Sequence, residues 1–234
     1  LMRMVTLSIP VVLALCLGAA NLSAQQQPGN GTFQWYVGGH GGILNFETSA
    51  QGGTTIPLGG AHMLITARRT GLLLSVEQGF GSNEPGVFTA QSIDSAGNLI
   101  SQEQVAATFD YIRKYSAMLM AFPIRGPATP FFGIGVGIIH TGGHTPDDTF
   151  TQQMGSSGFG SLLGGLNFRV SRLSAFGQYQ ITTSPGTRRA SATFANGSKI
   201  QTFGSLLSGP THTFTAGLRF GLGSAKERSV GGGY

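Results

Sequence analysis

The sequence predicts an all-β chain, folded as an eight-stranded antiparallel up-and-down transmembrane β-barrel, and three observations point there. Segments in which apolar residues alternate with small, polar or charged ones recur along the chain. Only 10% of the residues are charged while 38 of 234 are glycine, a balance unlike that of ordinary soluble domains. The connections alternate between very short and long, the pattern of tight turns on one side of a membrane and long loops on the other. Past the N-terminal region no apolar run reaches the length of about 18 residues that a membrane helix needs, so if the chain spans a membrane it does so with strands.

The N-terminus reads as an export signal over residues 1–24. Arg3 precedes an apolar run over residues 5–19 that contains Pro10, and Leu22-Ser23-Ala24 then supplies a cleavage-type sequence ending in small residues. Cleavage is expected after Ala24. The single cysteine, Cys16, lies inside this segment, and Leu15 stands where a lipoprotein signal needs a small residue, so the mature chain is expected to carry no disulfide and no thiol chemistry. A polar linker, residues 25–31, follows. The formal charge of +5 is spread without a dense basic run, which argues against a nucleic-acid partner.

The barrel is expected over residues 32–222. Its first strand, residues 32–46, sets Phe33, Trp35 and Val37 against Gln34, Tyr36, Gly38, His40 and Gly42, with aromatics where an interfacial girdle is expected. A loop to about residue 60 leads to a second strand, residues 62–67, and Arg68-Arg69-Thr70-Gly71 makes a tight turn. In the third strand Leu72, Leu74 and Val76 alternate with Leu73, Ser75, Glu77 and Gly79, which turns Glu77 inward. Residues 81–104 are polar and read as a hairpin projecting beyond the membrane around residues 94–98; counting its arms as membrane strands would make ten. In the fourth strand, residues 105–122, Lys114 is placed inside, because a lysine facing mid-bilayer lipid costs about 2–4 kcal/mol. Arg113 then faces outward near the headgroups, where its stem can snorkel.

After the turn at Arg125-Gly126-Pro127-Ala128, residues 130–139 form the cleanest strand. Phe132, Ile134, Val136 and Ile138 oppose Gly133, Gly135 and Gly137, so these glycines read as inward positions relieving crowding in a narrow barrel. A phosphate-binding loop would need a helix to follow. Asp147-Asp148 in the next loop falls far short of the six to eight oxygens that calcium takes. Strand six, residues 158–170, turns Leu162, Leu166, Phe168 and Val170 outward against Ser161, Gly165, Asn167 and Arg169. A minimal turn at Ser171 leads into strand seven, where Leu173, Ala175, Tyr179 and Ile181 oppose Ser174, Phe176, Gln178 and Gln180. In the last loop, Asn196-Gly197 is a hairpin-turn signal. The closing strand alternates Phe214, Ala216, Leu218, Phe220 and Leu222 with Thr213, Thr215, Gly217, Arg219 and Gly221. It must pair with the first strand, or the barrel keeps an open edge in lipid. A tail, residues 223–234, is expected to be flexible.

The export signal, the eight alternating strands, the Pro130–Gly137 stretch and the closing strand together resemble the small outer-membrane β-barrel proteins of Gram-negative bacteria, the OmpA/OmpX-like group. Thr215, Gly217, Phe220 and Leu222 resemble the signal by which such chains are recognised by the barrel-assembly machinery, although here a tail follows it. The resemblance implies a location in the outer membrane, contact with its lipids and lipopolysaccharide, a periplasmic tail, and a monomer. It does not choose an activity, since fold alone does not fix function.

For function the residues favour a non-enzymatic barrel with a structural or surface-interaction role through its long loops. Glu77 is expected to pair inside the barrel with Lys114, Arg169 or Arg219, because a charge in a narrow lumen is costly unless satisfied. No catalytic, cofactor-binding or metal-binding residues are assigned: His40 and His62 face inward and His140, His144 and His212 lie near loop ends, but none shows a serine at the spacing that nucleophilic catalysis needs. A lipid-modifying barrel enzyme, a narrow porin-like solute channel and a soluble ligand carrier remain as alternatives.

Overall fold

The computed structural model describes residues 32–124, 126–143, 155–183, 188–204 and 207–226. The strands are β1 Thr32–Phe46, β2 Thr54–Ala67, β3 Thr70–Ile93, β4 Leu99–Ala121, β5 Ala128–Gly142, β6 Ser156–Val170, β7 Leu173–Thr182, β8 Arg188–Thr193, β9 Lys199–Gly204 and β10 His212–Lys226. They join in the order β2-β1-β10-β7-β6-β5-β4-β3-β9-β8, and β2 also pairs with β3. Eight strands therefore close an antiparallel barrel, and the β8–β9 hairpin stands outside the ring. The closing strand meets the first as expected, with His40 opposite Gly217 and Val37 opposite Phe220, so neither edge is left open.

Two kinds of connection bound the ring. At one end, Arg68 and Ser171 take left-handed conformations, φ 51° and 57°, in the short turns after β2 and β6. At the other end β3 and β4 continue past the barrel after a register shift between Phe80 and Glu84, and stay paired to Ile93 opposite Leu99. There β9 pairs with β3 from Thr89 opposite Phe203 to Ile93 opposite Lys199. The result is a four-stranded extension, β4-β3-β9-β8. Both hairpin tips in it close alike, Gly97 N–H donating to Asp94 C=O at 3.1 Å and Gly197 N–H to Phe194 C=O at 2.9 Å. Each glycine supplies the positive φ that the turn requires. We call the two ends of the ring the turn end and the loop end.

The sequence expectations need two corrections. β2 begins at Thr54 rather than near His62: the Thr-, Pro- and Gly-rich stretch reads as a loop, yet Ile56 and Leu58 are buried in the lumen. Pro57 is accommodated because β2 has only β1 beside it there. β10 runs to Lys226 rather than ending at Leu222, because the first residues of β1 take partners from Gly223 to Lys226 across a register shift at Trp35/Tyr36. The hairpin that Asn196-Gly197 predicts is present as β8–β9, and it docks on β3. The export segment, the linker, Arg125, His144, Asp147-Asp148 and the end of the tail lie outside the described residues.

The wall faces as the alternation requires. Ile134 and Val136 are 62% and 67% exposed on the outside, while inward residues fill the lumen. Toward the loop end, a cluster including Leu44, Phe46, Ile56, Phe109, Ile112 and Phe159 is buried. Toward the turn end, a second includes Leu64, Leu73, Met118, Met120, Phe131 and Phe176.

Candidate functional site

Between the two apolar clusters lies a layer of charged and polar side chains drawn from β1, β2, β3, β4, β6, β7 and β10. Glu77 and Lys114 are paired positions on neighbouring strands, both inward by alternation, and Lys114 Nζ lies 2.9 Å from Glu77 Oε2. Lys114 Nζ also donates to Thr213 Oγ1 at 2.8 Å and to Gln180 Oε1 at 3.5 Å. Gln180 in turn donates to Ser161 Oγ at 2.7 Å. Glu77 and Lys114 are 2% and 1% exposed, a burial that charges tolerate only when paired and hydrogen-bonded.

The second oxygen of Glu77 opens a chain through both inward histidines. His40 Nε2 is 3.1 Å from Glu77 Oε1, His40 Nδ1 is 3.0 Å from His62 Nδ1, and Arg219 Nε is 3.0 Å from His62 Nε2. One proton arrangement satisfies every contact. Arg219 Nε–H can only donate, so His62 Nε2 accepts and His62 carries its proton on Nδ1. That proton is donated to His40 Nδ1, which leaves the His40 proton on Nε2, aimed at Glu77. Both imidazoles are therefore neutral relays between a cation and an anion.

Glycine makes room for the two rings. A Cβ at Gly60 would sit 2.7 Å from His40 Nε2, one at Gly38 2.8 Å from His62 Nε2, and one at Gly217 2.7 Å from His40 Cβ and 2.3 Å from the Gly39 oxygen. The inward glycines of β5 serve the same purpose for larger side chains, Gly137 facing the Phe159 ring and Gly135 facing Met118.

Arg219 completes the chain at the turn end. Its guanidinium lies 3.8 Å from the Phe176 ring centre and 5.5 Å from that of Phe131, and Nη1 donates to Asn167 Oδ1 at 3.4 Å. Arg169 does not join Glu77. It lies half-buried nearer the turn, where Nη1 donates to Gln34 Oε1 at 3.2 Å, Nε donates to the Ser171 carbonyl at 3.1 Å, and the guanidinium stacks on Tyr36.

Of the four charges singled out by sequence, two are in direct contact, Arg219 is linked through the histidines, and Arg169 is separate. The relay itself was not legible, because it needs the registers of four strands at once; the signal available was that His40 and His62 sit at inward positions beside glycines. Of the closing-strand residues, Thr215 and Gly217 face the lumen and Phe220 and Leu222 face outward. His140 Nδ1 contacts Ser156 Oγ at 2.6 Å and His212 Nδ1 contacts the Tyr179 hydroxyl at 2.7 Å, both at the loop end.

No protein-family model matches the chain, and no curated protein matches it in sequence. Among solved structures it is similar to Neisserial surface protein A at 10% identity and a TM-score of 0.50, over 80% of this chain and 96% of that one. It is also similar to the outer membrane protein OprG from Pseudomonas aeruginosa at 11% identity and a TM-score of 0.42, over 81% and 96%. At such identity the likeness is one of architecture, and the chain has the fold of the small eight-stranded outer-membrane β-barrels.

Proposed function

We propose that the chain is a bacterial outer-membrane protein, exported by its N-terminal segment, whose wall anchors an interaction surface at the loop end and which neither catalyses a reaction nor conducts solutes. The observation that carries this reading is the buried polar layer: Glu77, His40, His62, Lys114 and Arg219 form one linked chain, with Thr213, Gln180 and Asn167 as further partners, between two apolar clusters. Histidines held as neutral relays in a filled lumen act as struts rather than bases. A barrel of this size is just wide enough for its own side chains to fill.

The outer wall supports the membrane setting. Leu119, Ile134 and Val136 lie open on the outer face of the adjacent strands β4 and β5, a patch that lipid covers and water would not. In that setting the tight turns face the periplasm and the four-stranded extension stands outside the cell. The partners are the lipids and lipopolysaccharide around the wall and the assembly machinery that reads Thr215, Gly217, Phe220 and Leu222, and the protein works as a monomer.

Reconstitution in planar bilayers, paired with mass spectrometry of lipid A from cells with and without the gene, tests this. A silent barrel and an unchanged acyl pattern are expected. Steady single-channel steps would contradict the closed lumen, and a gene-dependent change in acylation would contradict the non-enzymatic role.

A further inference from the structure

The geometry points to a binding site for a lipid phosphate on the outer wall, centred on Arg113 at the loop-end border of the apolar belt. This rests on the membrane-barrel reading above and adds a ligand to it. Arg113 is opposite Gln78 on β3 and His140 on β5, and His140 is opposite Ser156 on β6. Four neighbouring strands thus turn one continuous polar row outward. One outward step toward the turn end the wall is apolar, with exposed Val76, Tyr115 and Ile138. The row therefore marks the level where hydrocarbon gives way to headgroups.

The guanidinium is held in place, and no described carboxylate neutralises its charge. Nε and Nη2 both donate to Gln78 Oε1, at 3.0 and 2.7 Å, and the Tyr111 ring centre lies 5.2 Å away. No ion pair joins Arg113 to a described carboxylate. Nη1 has no partner among the described residues. Beside it, His140 uses Nδ1 on Ser156 and leaves Nε2 without a described partner. A fixed guanidinium fork with a second ring nitrogen on the next strand suits a tetrahedral oxyanion. At this depth, on the face with the long connections, the anion available is the phosphate of an outer-leaflet glycolipid.

The test titrates the full chain in dodecyl maltoside micelles with bisphosphorylated lipid A and reads bound lipid by native mass spectrometry. Arg113→Gln is expected to weaken binding about tenfold, Arg113→Lys less, and Arg172→Gln at the turn end not at all. Removing the phosphates from lipid A should abolish the difference between wild type and Arg113→Gln. Undiminished binding by Arg113→Gln, or equal binding of the dephosphorylated lipid, overturns the site. Phosphatidylglycerol binding as tightly as lipid A overturns the glycolipid assignment. Each variant is also run unheated and boiled on a gel: wild-type heat shift with unchanged affinity rejects the site alone, whereas a wild-type chain with no heat shift rejects the barrel reading itself.

Discussion

Glu77 and Lys114 face each other across the β3–β4 ladder with 2.9 Å between Nζ and Oε2, and the other Glu77 oxygen is tied to His40. Removing one member strands the other as an uncompensated buried charge. Lys114→Met or Glu77→Gln should each cost about 3–5 kcal/mol, read as a drop in the urea midpoint of lipid-reconstituted protein by the fluorescence of Trp35, the single tryptophan. The double variant Glu77→Leu/Lys114→Met should lose less than the sum. Additive losses would mean that the two side chains are not coupled.

Gly217 and Gly177 face opposite sides of the wall, and their replacement should differ accordingly. A Cβ at Gly217 lands 2.3 Å from a backbone oxygen, whereas one at Gly177 meets nothing within 4 Å. Gly217→Ala should destabilise by about 1–3 kcal/mol and lower the folded yield, while Gly177→Ala should be neutral. Equal refolding yields for the two variants would contradict the packing of the histidine pair.

Much of this architecture was legible because β alternation fixes which way a side chain points once one face is known to be apolar. Glu77 and Lys114 could be turned inward on cost alone, and the glycines of β5 could be assigned to crowding. Pairing was less legible. That Glu77 meets Lys114 rather than Arg169 depends on strand register, and that Arg219 reaches Glu77 depends on two histidines from other strands. The start of β2 was hidden by composition, since Thr54-Thr55-Ile56-Pro57-Leu58-Gly59-Gly60 carries turn residues where pairing with β1 supports a strand. The docking of β9 on β3 was hidden for a different reason: both are polar strands whose partner is set by chain geometry, not by a buried face.

Depth along the wall sets the cost of a charge. Val136, 67% exposed midway along β5, and Phe168, 41% exposed near the turn end, should respond unequally to arginine. Val136→Arg should cost about 2–4 kcal/mol and Phe168→Arg about 0–1 kcal/mol, measured by refolding into lipid vesicles over a urea series. Two equally small losses would indicate water, not hydrocarbon, against the wall.

The tip of the β3–β4 hairpin should depend on pH. Hydrogen bonds from the Asn98 side chain and from the backbone N–H groups of Asn98, Ala96 and Gly97 hold the Asp94 carboxyl below its ordinary value. A depressed folded-state value means that the tip's added order is present above the ordinary aspartate range of about 4 and is lost as pH falls through the folded-state value below it. Amide exchange at Ala96 and Asn98, corrected for its intrinsic pH dependence, should lose protection over that interval, and Asp94→Asn should lack the transition. Unchanged protection across it would remove Asp94 as the latch.

The central claim is that this chain is a closed barrel embedded in a membrane by its outer face. The outer-membrane fraction of cells expressing the full chain, run on a gel with and without boiling, tests it most directly. The account predicts a band that pellets with the outer membrane and migrates differently before and after boiling. A protein that stays in the soluble periplasmic fraction and runs identically in both lanes would contradict it.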